Sequence, residues 1–428
     1  MIKIEELYQY FLNCQSIVID TRKITANSMF FALKGEKYDA NKFAKDALKL
    51  GATYVVIDNN DYFIDDRTIL VDDSLQTLQA LAAYHRVQLN LPIIALTGSN
   101  GKTTSKELIN VVLSQKFNVG ATVGNLNNHI GVPLTLLTFN KNTEIGIVEM
   151  GANHQKEIEF LCQIAKPDYG YITNFGKAHL EGFGGASGVI KGKSEMYTFL
   201  IDNNKKIFIN LDDAVQNEKT VGLSRISFSE MNSSANVLLS KCTANPFVNV
   251  SYDGVIIQSN LIGIYNCSNI GVAITIGNYF GVSNNAIKKA IESYMPDNNR
   301  SQLINKNSNT IILDAYNANP SSMQAALANF VNIDNQSKIV ILGDMFELGL
   351  DSESEHQALV GTVSKYPNIN FYLVGQAFYN CKIDSRNINF FVNFESLSPA
   401  IIAEKIVNST ILIKGSRGMA LERILDFL

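Results

Sequence analysis

Short apolar runs alternate with longer amphipathic ones along almost the whole chain. Up to about Gln88, the runs Ser16–Ile19, Met29–Leu33, Tyr54–Ile57 and Thr68–Val71 predict strands, and Asn41–Leu50 and Ser74–His85 carry helical spacing. From Leu91 a second series begins. Its predicted strands at Ile145–Met150, Tyr169–Thr173 and Lys206–Asn210 are separated by helical segments, the order of a parallel sheet. Phe247–Tyr252 and Val255–Ser259 flank Asp253-Gly254, a pair suited to a type I′ turn, and predict a hairpin. Between Tyr294 and Arg300 the composition turns polar around Pro296, which places a linker there. Beyond it, strands predicted at Thr310–Leu313, Lys338–Leu342, Ile369–Val374, Ile388–Val392 and Thr410–Ile413 alternate with helices at Ser321–Phe330, Ser354–Lys365, Pro399–Val407 and Met419–Phe427. Met323 and Phe330, at helical spacing, read as core. The expected class is α/β in three domains: a small α/β domain over residues 1–88, a parallel-sheet domain over 89–298 and a doubly wound domain over 299–428.

Composition agrees with that division and narrows the function. A chain of 428 residues exceeds what one core usually organises. A formal net charge of -4 argues against general binding of nucleic acid or an anionic membrane, so an anionic substrate would be met by local charge. Cys14, Cys162, Cys242, Cys267 and Cys381 are odd in number and form no CxxC pair; neither a disulfide framework nor a zinc site is indicated, and a reducing cytoplasm fits. Met1-Ile-Lys-Ile-Glu-Glu-Leu7 lacks the apolar stretch of a signal peptide, and no apolar run approaches a membrane span. A soluble protein without membrane insertion is expected.

The richest chemistry lies in Leu91-Pro-Ile-Ile-Ala-Leu-Thr-Gly-Ser-Asn-Gly-Lys-Thr-Thr-Ser-Lys-Glu107, an apolar strand, a glycine turn and a helix in succession. Gly98 and Gly101 let backbone approach phosphate oxygens, the N–H groups opening the helix point at an anion, Lys102 brings a point charge, and the Thr103 hydroxyl can ligate magnesium. Ser99, Asn100 and Thr104 complete this nucleotide-binding loop, whose glycines are closer together than in the standard phosphate loop. The central domain is therefore P-loop-type, and the third Rossmann-like. Glu149, at the carboxyl end of an apolar strand, can complete a magnesium shell with Thr103.

Seven segments carry a resemblance. Thr97-Gly-Ser-Asn-Gly-Lys-Thr-Thr104, Asn125-Leu-Asn-Asn128, Glu149-Met-Gly-Ala-Asn153, Thr173-Asn-Phe-Gly-Lys-Ala-His-Leu-Glu181, Asp314-Ala-Tyr-Asn-Ala-Asn-Pro320, Gly343-Asp-Met-Phe-Glu-Leu-Gly349 and Lys414-Gly-Ser-Arg417 stand in the order seen in Mur ligases. The match favours the dipeptide-adding branch and extends to Asp20-Thr-Arg-Lys23 and Phe30–Glu36, which look like its nucleotide-sugar domain. The resemblance implies a monomeric cytoplasmic ligase. It would use ATP and two magnesium ions to activate the carboxylate of UDP-N-acetylmuramoyl-tripeptide and join it to D-alanyl-D-alanine through an acyl phosphate.

Site roles follow from the same resemblance. It makes Lys102, Glu149, His179 and Lys193 catalytic, and Thr103, Glu149, His179 and Lys193 metal-binding, with Lys193 carbamylated. Lys191 competes with Lys193 for that role; the alignment of Lys-Ser-Glu-Met-Tyr197 favours Lys193. Asn269, Arg300 and Asp314 would approach the nucleotide, although an asparagine at a helix start also reads as a cap. Thr21, Arg22, Asn127, Asn128, Tyr316, Asn317, Asn319, Lys414 and Arg417 would meet substrate, while His356 matches a family position without assigned chemistry. His129 and Ala315 depart from the family pattern, which bears on substrate positioning. The third residue of the peptide, diaminopimelate or lysine, stays open. A single-amino-acid ligase, a folylpolyglutamate-type synthase and a nucleotide switch are the other readings.

Overall fold

The strand Ile93–Thr97 is buried at every residue, as a parallel strand covered on both faces should be. It lies within a nine-stranded sheet whose order is Val255–Ile262, Phe247–Tyr252, Val237–Ala244, Arg225–Ser229, Lys206–Asn210, Tyr169–Ile172, Ile93–Thr97, Ile145–Glu149 and Val119–Ala121. The pairings from Val119–Ala121 to Val237–Ala244 are parallel, and the last two are antiparallel. This computed structural model describes residues 2–297 and 299–428; Asn298, in the expected linker and closing the expected central domain, lies outside them. Helices Lys102–Leu113 and Asn266–Tyr279 bury Leu108, Ile109, Val112, Ile270, Ala273 and Ile274 against one face of the sheet.

Two further sheets, of four and six strands, flank the nine-stranded one in sequence, besides a two-stranded one pairing Lys34–Gly35 with Tyr38–Asp39. The first is parallel, in the order Ser16–Val18, Ser28–Phe31, Ala52–Ile57, Thr68–Leu70. The second has the order Gln302–Lys306, Asn309–Asp314, Thr410–Lys414, Lys338–Gly343, Asn370–Val374, Ile388–Phe391, and only its first strand runs antiparallel. One apolar cluster reaches from Leu7 to Leu412, with the expected core residues Met323 and Phe330 inside it. The chain is a mixed α/β protein organised around parallel sheets.

Several elements differ from the sequence expectation. Helix Ile4–Leu12 and strands Val119–Ala121, Arg225–Ser229, Val237–Ala244 and Gln302–Lys306 were not anticipated. The expected helix Pro399–Val407 is Phe394–Glu404 with Pro399 inside it, because Asn393 and Ser396 form a reciprocal capping box that starts the helix earlier. Met419–Phe427 is not an α-helix. It divides into 3₁₀ turns at Arg417–Met419 and Leu421–Phe427, with Ala420 between them at φ 47°. The expected helix Asn41–Leu50 likewise splits, into a 3₁₀ turn at Ala40–Phe43 and a helix at Ala44–Lys49.

Candidate functional site

At the carboxyl end of strand Ile93–Thr97 the chain turns sharply into helix Lys102–Leu113, using Gly98 at φ 140° and Gly101 at φ 79°. Both glycines are also packed tightly. A Cβ at Gly98 would lie 2.0 Å from Thr173 Oγ1, and one at Gly101 would lie 2.6 Å from Asn269 Oδ1. The loop is tied to the end of the neighbouring strand Tyr169–Ile172: Thr173 Oγ1 donates to Asn100 O at 2.6 Å, Asn100 N donates to Asn174 Oδ1 at 3.1 Å, and Ser99 Oγ donates to Gly176 O at 2.6 Å. Lys102 folds back, its Nζ donating to Gly98 O at 2.6 Å. Burial lowers the Lys102 pKa, opposed by the charge of Glu149 and reinforced by Arg300.

Glu149, at the end of strand Ile145–Glu149, is 1% exposed. Its carboxylate accepts Thr103 Oγ1 at 3.0 Å and Asn127 Nδ2 at 2.9 Å. A hydroxyl and a carboxylate converging from two elements provide hard oxygen donors suited to magnesium. Thr104 and Asn128 line the cavity beside them, and Asn128 Oδ1 also accepts the backbone N–H groups of Ile130 and Gly131.

Lys193 sits on helix Ala186–Asp202, buried, with Nζ donating to Ala152 O at 3.1 Å and lying 5.0 Å from the Phe183 ring. Desolvation, then the charge of Lys102, drives its pKa well below the ordinary lysine value. A neutral buried amine is the form that can add carbon dioxide. Lys191, the competing position, is exposed. His179 adopts φ 53°, and its Nδ1 pairs with the Glu347 carboxylate. That carboxylate is held below its usual range chiefly by the hydrogen bond from His179. Glu347 belongs to the Gly343–Gly349 motif, but no local signal in the sequence paired it with a residue so distant.

The six-stranded sheet closes the other side. Asp314 and Lys414 end neighbouring strands, and Lys414 Nζ reaches Asp314 Oδ2 at 2.6 Å and Asn317 O at 3.2 Å. The Arg300 guanidinium lies 3.7 Å over the Tyr316 ring. Asn319 caps helix Pro320–Phe330 while its Nδ2 donates to Asn100 Oδ1 at 2.7 Å, so one asparagine joins the two sheets' loops directly. Inside this third part His356 is fully buried; its Nε2 accepts Met345 N at 3.0 Å, so Nδ1 donates to Ser352 O at 2.7 Å and the ring braces the turn that carries Glu347.

These groups surround one cavity of about 780 Å³, lined by Ser99 to Thr104, Asn127, Asn128, Glu149, His179, Asn269, Arg300, Asp314, Tyr316, Asn317, Asn319 and Lys414. Asn269 does not cap its helix by a side-chain bond: its Oδ1 accepts Ser105 Oγ at 2.9 Å and its Nδ2 donates to Asn266 Oδ1 at 2.7 Å. Gly98 and Lys193 are not lining residues, but each touches a segment that is. Three expected residues are not brought to the cavity. Thr21 and Arg22 lie apart from it, with Arg22 paired to Asp20 at 2.7 Å, and the exposed Arg417 pairs with Glu422 at 2.9 Å. Of the two departures, His129 lines the cavity and Ala315 is buried in the core of the six-stranded sheet.

Comparison with known proteins follows the same three sheets. Residues 13–86 match the Mur ligase family, catalytic domain, residues 96–277 the Mur ligase middle domain, and residues 299–417 the Mur ligase, glutamate ligase domain. The chain is 32% identical over 437 residues to the UDP-N-acetylmuramoyl-tripeptide--D-alanyl-D-alanine ligase of Bacillus subtilis, covering 96% of this chain and 92% of the relative. It is 32% identical to the ligase of that name from Escherichia coli, with 97% and 94% covered. A crystal structure of MurF from Acinetobacter baumannii superposes with a TM-score of 0.88 at 29% identity, covering 99% of this chain and 98% of that one. MurF from Thermotoga maritima in complex with ADP shares the fold, at a TM-score of 0.85 and 24% identity, with 97% of each chain covered.

Proposed function

The chain belongs to the Mur ligase family, and from that premise we propose that it joins D-alanyl-D-alanine to UDP-N-acetylmuramoyl-tripeptide at the expense of ATP. The observation that carries this reading is the convergence, around one cavity, of the Gly98–Thr103 loop, the Glu149 carboxylate and the loop ends of a second parallel sheet. The tripeptide carboxylate oxygen attacks the γ-phosphorus, and ADP leaves. The amine nitrogen of the dipeptide, losing its proton, then attacks the acyl carbon of the resulting acyl phosphate, and phosphate leaves. Products are the UDP-N-acetylmuramoyl-pentapeptide, ADP and phosphate.

The chain's own groups divide this work. Backbone N–H groups of the loop and Lys102 would meet the phosphates, with Asn269 holding the loop from behind and Arg300 and Asp314 approaching from the third part. Thr103 and Glu149 fit one magnesium ion, since both offer hard oxygens in one place. His179 and a carbamate on Lys193 would hold a second: a neutral amine and carbon dioxide give an anionic carbamate and a proton, which turns a buried amine into an anionic ligand. Magnesium, when bound, would offset the repulsion between the γ-phosphate and the attacking carboxylate.

We assign residues 1–88 to the nucleotide-sugar peptide, 89–298 to ATP and 299–428 to the incoming amine. Thr21, Arg22, Asn127 and Asn128 would then meet the first substrate, and Tyr316, Asn317, Asn319, Lys414 and Arg417 the cleft and the second. No helix among the described residues is long and apolar enough to cross a membrane, and we place the enzyme in the cytoplasm as a monomer.

Phosphate release is the test. It should require ATP, the nucleotide tripeptide and D-alanyl-D-alanine together. Release with a single amino acid in place of the dipeptide would move the enzyme to another branch of the family, and release without an acceptor would favour a nucleotide switch.

A further inference from the structure

Behind the nucleotide cavity lies a second group of side chains that the ligase reaction does not use. The first turn of helix Asn266–Tyr279 presents Asn266, Ser268 and Asn269 to the cavity, whereas Cys267 between them packs into the core. There it meets Cys242, half-buried on strand Val237–Ala244, and the exposed Glu230 that follows strand Arg225–Ser229. The two sulfurs and a carboxylate oxygen all lie within 4.8 Å of one another. Two thiolates on a tetrahedral zinc, at about 2.3 Å each, stand about 3.8 Å apart. The three groups therefore need little movement to share an ion.

We propose that Glu230, Cys242 and Cys267 form a site for one thiophilic divalent cation of the zinc and cadmium class, and that its occupancy restrains the helix turn carrying Asn269. The donor set selects the ion. Paired sulfurs favour zinc or cadmium over magnesium, so the site does not compete for the metal of the ligase reaction. Three protein ligands leave a fourth position for water, and exposure of Glu230 gives the ion a way in. Binding is written M²⁺ + 2 RSH + RCO₂⁻ → [M(SR)₂(O₂CR)]⁻ + 2 H⁺. Occupancy consequently rises with pH.

The consequence for nucleotide rests on the ligase reading, but the binding does not. Asn269 receives Ser105 Oγ from the loop helix at 2.9 Å and packs against Gly101. Fixing Cys267 to the neighbouring strand therefore limits how this turn can adjust to a bound nucleotide.

The test is a cadmium titration of the full chain, followed by thiolate-to-cadmium absorption in the ultraviolet. The site predicts a band saturating at one ion per chain. Cys242→Ser should abolish it, Glu230→Gln should weaken affinity by about tenfold with the band retained, and Cys162→Ser, at a buried cysteine whose thiol faces Met150 Sδ, should leave it intact. Circular dichroism of each variant checks folding. A band that survives Cys242→Ser, or no band with the folded protein, overturns the site. Zinc at saturation should raise the KM for ATP several-fold in the wild type and not in Cys242→Ser. An equal zinc effect in both would overturn the coupling to nucleotide, and dipeptide-dependent turnover in zinc-free buffer reports on the ligase reading separately.

Discussion

Lys193 shows how much one buried side chain decides. Its pKa is held far below 10.5 in the folded chain, so between that lowered value and 10.5 the folded state binds fewer protons than the unfolded one. Stability must then rise with pH across the window. Lys193→Met removes the buried amine. It should raise the melting temperature near neutral pH and flatten that pH dependence, while lowering turnover by at least about a hundredfold through loss of the carbamate proposed for Lys193. Thermal melts from pH 6 to pH 10 with parallel activity assays would check both, and a variant that melts lower than the parent at neutral pH would count against the buried-amine account. Glu347 makes the complementary case. Its side chain is 55% exposed in the pair with His179, so Glu347→Gln should change stability by less than about 1 kcal/mol. Turnover should nevertheless fall about tenfold, or about 1.4 kcal/mol in the barrier, as His179 loses its orienting partner. Unchanged turnover would show that the pair is incidental. Lys193 is legible in the sequence because its segment has a recognisable order, and burial in the folded chain separates it from Lys191. Glu347 and the Asn127 bond to Glu149 are not, because both depend on segments brought together only by the fold.

At the scale of elements, the sequence was clearest where a strand is buried on both faces. Ile93–Thr97, Lys206–Asn210 and Lys338–Gly343 are built on the buried apolar runs Ile93–Leu96, Ile207–Ile209 and Ile339–Leu342, and each was anticipated within a residue or was plain in its motif. Val237–Ala244 was missed because it leaves the core partway along, and its exposed Ser240 and Lys241 read as loop. Pro399 misled for another reason: proline suggested a helix start, whereas the capping residues Asn393 and Ser396 set the start five residues earlier than expected, at Phe394. The glycine loop is the element most sensitive to change. Gly98→Ala combines a φ of 140° with a Cβ placed 2.0 Å from Thr173 Oγ1, so it should cost more than about 1 kcal/mol of stability. It should also weaken ATP binding by at least about tenfold, or roughly 1.4 kcal/mol. Denaturant unfolding and nucleotide titration would measure these, and parent-like values in both would contradict the tight packing of the loop.

Across the whole molecule, the central and third parts are already bridged. Asn319 reaches Asn100 at 2.7 Å, Lys177 Nζ reaches Glu355 at 2.5 Å, and Lys177 N donates to Ser321 Oγ at 2.8 Å. These contacts tie the two parts together beside the cavity that both line. Arg22 stands apart from that cavity. If the first part holds the nucleotide sugar, Arg22→Ala should raise the KM for the nucleotide tripeptide several-fold and leave the KM for ATP unchanged; a change confined to ATP would reverse the assignment. Loop ends of the nine-stranded and six-stranded sheets meet at one cavity, whose lining residues run from Ser99 to Lys414. The distance of Arg22 and Arg417 from the cavity was not readable from the motifs along the chain. The central claim is that the cavity transfers the γ-phosphoryl group to a carboxylate. Its most direct measurement is one turnover of nucleotide tripeptide carrying heavy oxygen in its terminal carboxylate, with mass analysis of the released phosphate. The account predicts that one labelled oxygen passes from carboxylate to phosphate; phosphate released without label, while the pentapeptide forms, would contradict it.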